Sequence, residues 1–275
     1  MAIITLTTDY GNKDYTVSSL KAKLISEIDD INIVDITHNI SPFNLAEAGY
    51  VLEGAFSEFP KGTIHILSVD SELTPENKHI AIMYDGSFFI GADNGVFSLI
   101  FRDKKPDQIV EINLHSNYNY DISADELFVK VASHINRSGP LNVVGSEIET
   151  IKEITNLRPV INKEMNQIIG SVIYIDNYGN VVTNITEKLF KEISKTRPFT
   201  INARNVKFSK IHKNYSDAID FNLEKKDREE DGKKIALFNN LGYLQLSVYR
   251  SNPQTVGSAS TLFGLNYRDA VSVYF

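Results

Sequence analysis

The chain has 275 residues, 42% of them apolar, which suits one large or two medium domains with a sizeable core and excludes a disordered chain. Its formal net charge of -7 supplies no basic field for nucleic acid and no polybasic anchor for acidic lipid. The absence of cysteine rules out disulfides, thiolate nucleophiles and sulfur-held metal centres, and fits a reducing cytoplasm.

The apolar run at 2–5 is too short for a signal peptide, and no stretch approaches the roughly 20 apolar residues of a membrane helix. The expectation is a soluble cytoplasmic protein. Residues 2–7 (AIITLT) read as a buried strand, and 15–28 as a helix with Val17, Leu20, Leu24 and Ile28 on one face. INIVDIT (31–37) is a second strand. A helix follows, with Asn44 as N-cap and Glu47 three residues on, running to about Phe56. GTIHILSVD (62–70) is a third strand. The alternation predicts an α/β N-terminal domain with a mostly parallel sheet. Ligands of such sheets sit beyond the carboxyl ends of the strands, where both Asp9 and Asp70 fall.

HIAIMYDGSFFIGADNG (79–95) reads as a hairpin turning at Asp85-Gly86, and 125–137 as a helix. The polar stretch at 145–166, with Pro159, marks the domain junction. Beyond it IIGSVIYID, NVVTNI, PFTINARNVKF, KKIALFN, GYLQLSVYR and DAVSVYF are short strands between turns, an all-β C-terminal domain that is either barrel-like or a sandwich. The expected domains are 1–155 and 167–275. The charge run at 223–234 reads as a solvated hairpin loop.

Several clusters carry chemistry. Asp9 and Asp14 flank a glycine turn at a strand end, either as turn-stabilising carboxylates or as acceptors for a vicinal diol. There is no glycine-rich dinucleotide motif or phosphate loop. His38 lies near Asp35, but none of the scattered histidines (38, 65, 79, 115, 134 and 212) has metal-ligand spacing, so no metal is expected. IDNYGNVVTNI (175–185) is a hairpin turn whose Asn and Gly need no further explanation, whereas Tyr178 beside amides could clamp a flat ring. FNNLGYLQLSV (238–248) reads as a plain Asn-rich turn between strands.

Taken in order, TTDYGNKD, VDITHNISPF, FPKGTIHILSVD, GADNGVFS, IDNYGNVVTNI and GYLQLSV resemble the S-adenosylmethionine (SAM) hydroxide adenosyltransferases, relatives of the SAM-dependent fluorinase and chlorinase. The resemblance spans nearly the whole chain. It implies a homotrimer whose active sites lie between one subunit's N-terminal domain and a neighbour's C-terminal domain. The implied reaction is attack of water or hydroxide on the ribose 5′ carbon of SAM, giving adenosine and L-methionine. SAM is then the substrate, and no cofactor is needed. By the same resemblance Asp9 grips the ribose hydroxyls, Asp14 and Thr16 lie near the methionine end, and Phe43 lines the ribose. Asp176, Tyr178 and Asn180 hold the amino-acid part and stack adenine. Asn239, Asn240 and Val248 match the stretch that meets substrate amine and adenine.

In the hydroxide-type enzymes an Asp, an Arg and a His orient and activate the water. Asp70 matches the Asp, and the halogenases have Tyr there. The family's Asp-Pro-Gly-Val-Gly-Thr is replaced by DSELTPENKH (70–79), which puts Asn77 at the Arg position with Lys78 beside it. Its Phe-His-Gly-Arg-Asp is replaced by ISADE (122–126), which puts Ser123 at the His position. Two readings follow. One is a hydrolase whose water is placed by Asp70 with Lys78, Asn77 and Ser123. The other is a SAM- or adenosine-binding sensor that has lost turnover.

Overall fold

The computed structural model describes residues 2–102, 104–114, 122–155 and 157–275, in two compact units, Met1–Ile154 and Thr155–Phe275. His115 lies outside the described residues.

The first unit runs β1 (Ala2–Thr8), α1 (Thr16–Glu27), β2 (Ile31–Thr37), α2 (Leu45–Phe56), β3 (Ile64–Ser68), β4 (His79–Tyr84), β5 (Ser87–Ala92), α3 (Val96–Phe101), β6 (Gln108–Ile112), α4 (Ala124–Asn136) and β7 (Gly145–Glu147). Its sheet has the order β2-β1-β3-β5-β4-β6-β7. β1 pairs in parallel with β2 and β3, and β3 with β5, whereas β4–β5, β4–β6 and β6–β7 are antiparallel. The sheet is therefore mixed, not mostly parallel. The reversal comes from the Asp85-Gly86 turn: both residues have positive φ, +48° and +72°, which a two-residue hairpin of this kind demands. The strands after it carry the antiparallel half.

Helices cover both faces. Leu20 and Leu24 of α1, and Leu127, Phe128 and Val131 of α4, pack on Ile4, Leu6, Ile64 and Ile66. On the other face Ala48 and Leu52 of α2 and Phe97, Ile100 and Phe101 of α3 pack on Leu67, Ile80, Ile82 and Phe89. Alternate side chains of each strand thus feed different layers. The Asn44 side chain accepts from Glu47 N at 3.2 Å, as its N-cap role predicts, a contact worth about 1 kcal/mol. Ile28 closes α1 with its N–H on the Leu24 carbonyl.

The second unit holds β8 (Val160–Ile161), β9 (Gln167–Ile175), β10 (Val181–Thr186), α5 (Glu187–Ser194), β11 (Thr200–Ala203), β12 (Val206–Phe208), β13 (Lys234–Phe238), β14 (Tyr243–Val248), α6 (Ala259–Phe263) and β15 (Ala270–Tyr274). Every pairing between these strands is antiparallel, in the order β12-β11-β15-β9-β10-β14-β13, with β8 on β9. Past β12 the chain returns to β13, where His212 N donates to the Ala236 carbonyl at 2.8 Å and a bridge joins His212 to Leu237. The sheet is thereby nearly closed into a barrel around Ile168, Val172, Ile185, Ile201, Leu246 and Val273. Two short helices interrupt the expected all-β unit. α5 is capped by Thr186, which accepts from Leu189 N at 3.2 Å, and it buries Phe190 and Ile193 on the barrel. The charge run at 223–234 is a largely exposed loop, steadied by Arg228 donating to the Leu223 carbonyl and lying 4.9 Å from the Phe221 ring centre.

Candidate functional site

The strand directions decide which residues share an edge. β1 and β3 run in parallel, so Asp9 and Asp70 emerge at the same end of the sheet. β4 runs the other way. Its first residue, His79, pairs with the last of β5, Ala92, and Ile80 pairs with Glu111 of β6. Lys78 therefore enters the sheet, and β6 leaves it, at the same edge as the two carboxylates.

At this edge the Asp9 Oδ2 accepts the Phe43 N–H at 3.0 Å, which leaves Oδ1 for another donor. Phe43 has φ +61° and its ring is 72% exposed, an apolar surface held open beside Asp9. Below it, buried His38 places Nδ1 2.9 Å from Thr8 Oγ1 and Nε2 3.1 Å from Asp35 Oδ1, while Gly11 N donates to the His38 carbonyl. His38 thus supports the turn. Burial would raise Asp35, but Lys21 and His38 outweigh it and hold the carboxyl below its usual range. Asp14 accepts the Thr16 N–H at 2.9 Å at the start of α1, and this bond lowers its pKa.

Asp70 is half-buried with φ +49°. Its backbone is held from outside: Asn94 Nδ2 donates to the carbonyls of Val69 and Asp70 at 3.0 and 3.1 Å, and Asn94 Oδ1 caps Val96 N at the start of α3. The loop that follows is tied to itself. Thr74 Oγ1 accepts from Asn77 N at 2.9 Å, and His79 Nε2 lies 2.8 Å from the Ser71 carbonyl. Asn77 turns its side chain to Lys152, whose Nζ donates to Asn77 Oδ1 at 3.2 Å and also to the Glu76 carbonyl. Lys78 and Ser123, by contrast, line one open cavity of about 770 Å³ together with Glu72, Thr74, Glu111 and Asn113. Ser123 is the N-cap of α4 and accepts from Glu126 N at 3.3 Å, which leaves its own proton free to donate.

Sequence reasoning missed a second layer at this edge. Tyr10 OH lies 2.7 Å from Asp125 Oδ1 and 2.6 Å from Ser68 Oγ, and Ser68 Oγ lies 2.9 Å from the same Asp125 oxygen. Burial and the neighbouring Asp125 charge push the Tyr10 phenol far above its ordinary range, so it keeps its proton and donates. Tyr10 and Asn94 lie in two of the segments that carry the family resemblance, TTDYG and GADNG, but nothing in those segments taken alone shows what either side chain meets.

In the second unit, Asp176 shapes the turn between β9 and β10. Its Oδ1 accepts from Tyr178 N and Asn180 N at 2.9 Å each, and its Oδ2 from Asn180 Nδ2 at 2.8 Å. Asn180 is 5% exposed and its Oδ1 is buried without a partner among the described residues. The Tyr178 ring is 64% exposed. Gly179 has φ +73°, and a Cβ there would lie 2.2 Å from Ser258 Oγ, so only glycine fits. Asn239 Oδ1 accepts from Leu241 N and Tyr243 N at 3.1 Å each, and it organises the next turn. Asn240 at that turn is exposed. The Val248 side chain is buried in the barrel core, so only its backbone is available to a ligand. Gln245 donates to Tyr215 OH at 2.7 Å, and burial raises the Tyr215 pKa. Among the described residues, no three His, Asp or Glu side chains converge as a metal site. No helix among them is long and apolar enough to cross a membrane.

Comparison with known proteins gives these features a context. Residues 4–145 match the family model of the SAM hydroxide adenosyltransferase N-terminal domain, and residues 170–272 that of its C-terminal domain. An (R)-S-adenosyl-L-methionine hydrolase of Methanocaldococcus jannaschii is 28% identical over 99% of this chain and 96% of its own length. The enzyme so named from Thermus thermophilus is 23% identical over 64% of this chain and 72% of its own, and a fluorinase of Actinopolyspora mzabensis 22% identical over 66% and 71%. An uncharacterized conserved protein from Thermotoga maritima has the same fold, with a TM-score of 0.78 and 26% identity, over 99% of this chain and 100% of its own.

Proposed function

Since the chain belongs to the SAM hydroxide adenosyltransferase family, we propose that it hydrolyses SAM to adenosine and L-methionine. The observation that carries this reading is the shared sheet edge: Asp9 with one free carboxylate oxygen, and Asp70 on a backbone fixed by Asn94. Asp9 takes the ribose diol, since an acceptor-only carboxylate suits two neighbouring hydroxyl donors. Phe43 covers the sugar. The water oxygen attacks C5′ as the C5′–S bond breaks. The bonding pair goes to sulfur, which leaves as a neutral thioether, and the water's proton passes to Asp70 or to solvent. A sulfonium needs no acid to leave, so the rate rests on in-line placement, which supplies up to about 7–11 kcal/mol. Lys78 and Ser123 line a neighbouring cavity whose lining includes neither Asp9 nor Asp70, and in this reading they orient the water from that side. Asn77 is engaged by Lys152 and serves that loop. In this reading Asp14 and Thr16 border the methionine end.

Asp176, Tyr178, Asn180, Asn239, Asn240 and the Val248 backbone bind the adenine and amino-acid ends. They reach a substrate held by a neighbouring subunit's first unit in a homotrimer, working in the cytoplasm without a cofactor. Light scattering at three chain masses supports that assembly, and a monomer that turns over refutes it.

One observation favours the second reading, a binding protein without turnover: the loop after Asp70 places an amide, Asn77, and the start of α4 a hydroxyl, Ser123, where the family has Arg and His. Incubation with SAM, with adenosine and methionine followed by chromatography with and without chloride, decides. Adenosine made independently of chloride supports hydrolysis. A chlorinated nucleoside refutes it, and binding without turnover establishes the sensor.

A further inference from the structure

We propose that Asp125 is a positioning residue of this site: it fastens the ends of β1 and β3 through Tyr10 and Ser68, and so fixes Asp9 relative to Asp70. The proposal rests on the adenosyl-site reading of the first unit. Tyr10 follows Asp9 in the chain, and Ser68 stands two residues before Asp70. Asp125 comes from a third element, the first turn of α4, two residues after Ser123. One of its oxygens, Oδ1, lies 2.7 Å from the Tyr10 hydroxyl and 2.9 Å from the Ser68 hydroxyl.

The proton count makes an acceptor at position 125 necessary. Tyr10, Ser68 and Asp125 form a triangle with sides of 2.6, 2.7 and 2.9 Å, and two hydroxyl protons serve it. Both can point to Asp125, which accepts from each and gives charge-assisted bonds about twice as strong as neutral ones. Without Asp125, one hydroxyl donates to the other and the second proton has no acceptor in the triangle. The strand ends then keep one neutral bond between them. The first turn of a helix also favours a carboxylate, because the free N–H groups of the helix point there.

The position is itself a departure from the family stretch. The count that puts Ser123 at the family's His puts Asp125 at its Arg. A cation has become an anion, and two hydroxyls meet it. Nothing in direct attack on a sulfonium requires Asp125 to touch the substrate. Its effect passes through the two strand ends, where displacement of about 1 Å costs on the order of 100-fold in rate.

The test uses the full chain with Asp125→Ala, Asp125→Asn, Tyr10→Phe and the double variant Tyr10→Phe/Asp125→Ala. Adenosine affinity is read by calorimetry, SAM turnover as kcat and KM, and folding by Tm. Asp125→Ala is expected to lower kcat at least about tenfold and weaken adenosine at least about threefold, for misplaced reacting groups. Asp125→Asn keeps an acceptor oxygen and recovers most of both. The double variant is no worse than the worse single one, because one linkage is being cut twice. Three results overturn the proposal: Asp125→Ala within twofold of wild type in both readouts, Asp125→Asn as impaired as Asp125→Ala, or additive losses in the double variant. Wild type that binds adenosine without hydrolysing SAM refutes the hydrolase reading alone, and the binding arm still decides the role of Asp125. Wild type that binds no adenosine refutes both.

Discussion

Removal of the Asp9 carboxylate tests the adenosyl site at its most specific point. Asp9 already spends one lone pair of Oδ2 on the Phe43 N–H, 3.0 Å away. The remaining acceptor capacity accommodates both hydroxyls of a ribose. A hydrogen bond to a charged group contributes about 1.5–3 kcal/mol net, so two give about 3–6 kcal/mol. Asp9→Ala should then weaken adenosine at least about 100-fold, since each 1.4 kcal/mol is a factor of ten. It also frees the Phe43 N–H, but that group can turn to solvent beside an exposed ring, so the main loss is in binding. Calorimetry with adenosine, 2′-deoxyadenosine and 3′-deoxyadenosine isolates the contact. Wild type should lose affinity with each missing hydroxyl, whereas Asp9→Ala should treat all three nucleosides alike. An Asp9→Ala protein that binds adenosine within threefold of wild type, or that still penalises the deoxy forms, refutes the assignment.

Three further outcomes follow from the geometry. His65 is fully buried against Phe89 with Nδ1 on Thr5 Oγ1, and burial depresses its pKa to about 4. The unfolded chain takes up a proton near pH 6.5 that the folded one refuses, so stability is complete above pH 6.5 and falls by about 2 kcal/mol by pH 5. Denaturant melts read the loss, and an NMR titration placing His65 near 6.5 refutes the cause. Gly179→Ala forces a Cβ against Ser258 Oγ at positive φ and should destabilise the second unit by about 2 kcal/mol or more, read by urea unfolding. An unchanged midpoint contradicts the packing described. Ser123→Ala removes the α4 N-cap and should cost about 1 kcal/mol, while Ser123→Asp retains the cap and its stability. Equal melting of both variants with wild type refutes the capping role.

Much of the fold was legible because local chemistry and tertiary demand agreed. Asn44 and Glu47 mark the start of α2, Asp85-Gly86 marks the hairpin, and the spacing of Val17, Leu20 and Leu24 marks the buried face of α1. The mixed character of the first sheet was not legible. The hairpin announces only the β4–β5 reversal; where that hairpin, β6 and β7 join the sheet decides how much of it is antiparallel, and pairing is not encoded in a strand's own alternation. α5 escaped because eight residues directly after a strand give little more than two turns of periodicity. At the site, isolated carboxylates at strand ends were readable as positions. Their supports were not, because Tyr10, Ser68, Asn94, Asp125 and Lys152 meet only in three dimensions. Ser123 shows the limit of matching by position: alignment suggests a water ligand, and the helix start beside it explains the residue equally well as a cap.

The clamp on Val69 and Asp70 also bears on how such a protein can change over generations. Asn94 grips the two carbonyls, not the side chain, so the backbone at position 70 stays in place whatever hangs from it. Its φ of +49° admits asparagine or glycine at little cost and most other residues at about 1–2 kcal/mol. Position 70 is thus a socket with its own support, where, on the proposed function, the group that meets the nucleophile can be exchanged without dismantling the wall around it. A scaffold with that property can move between nucleophiles by single replacements and stay folded through each intermediate.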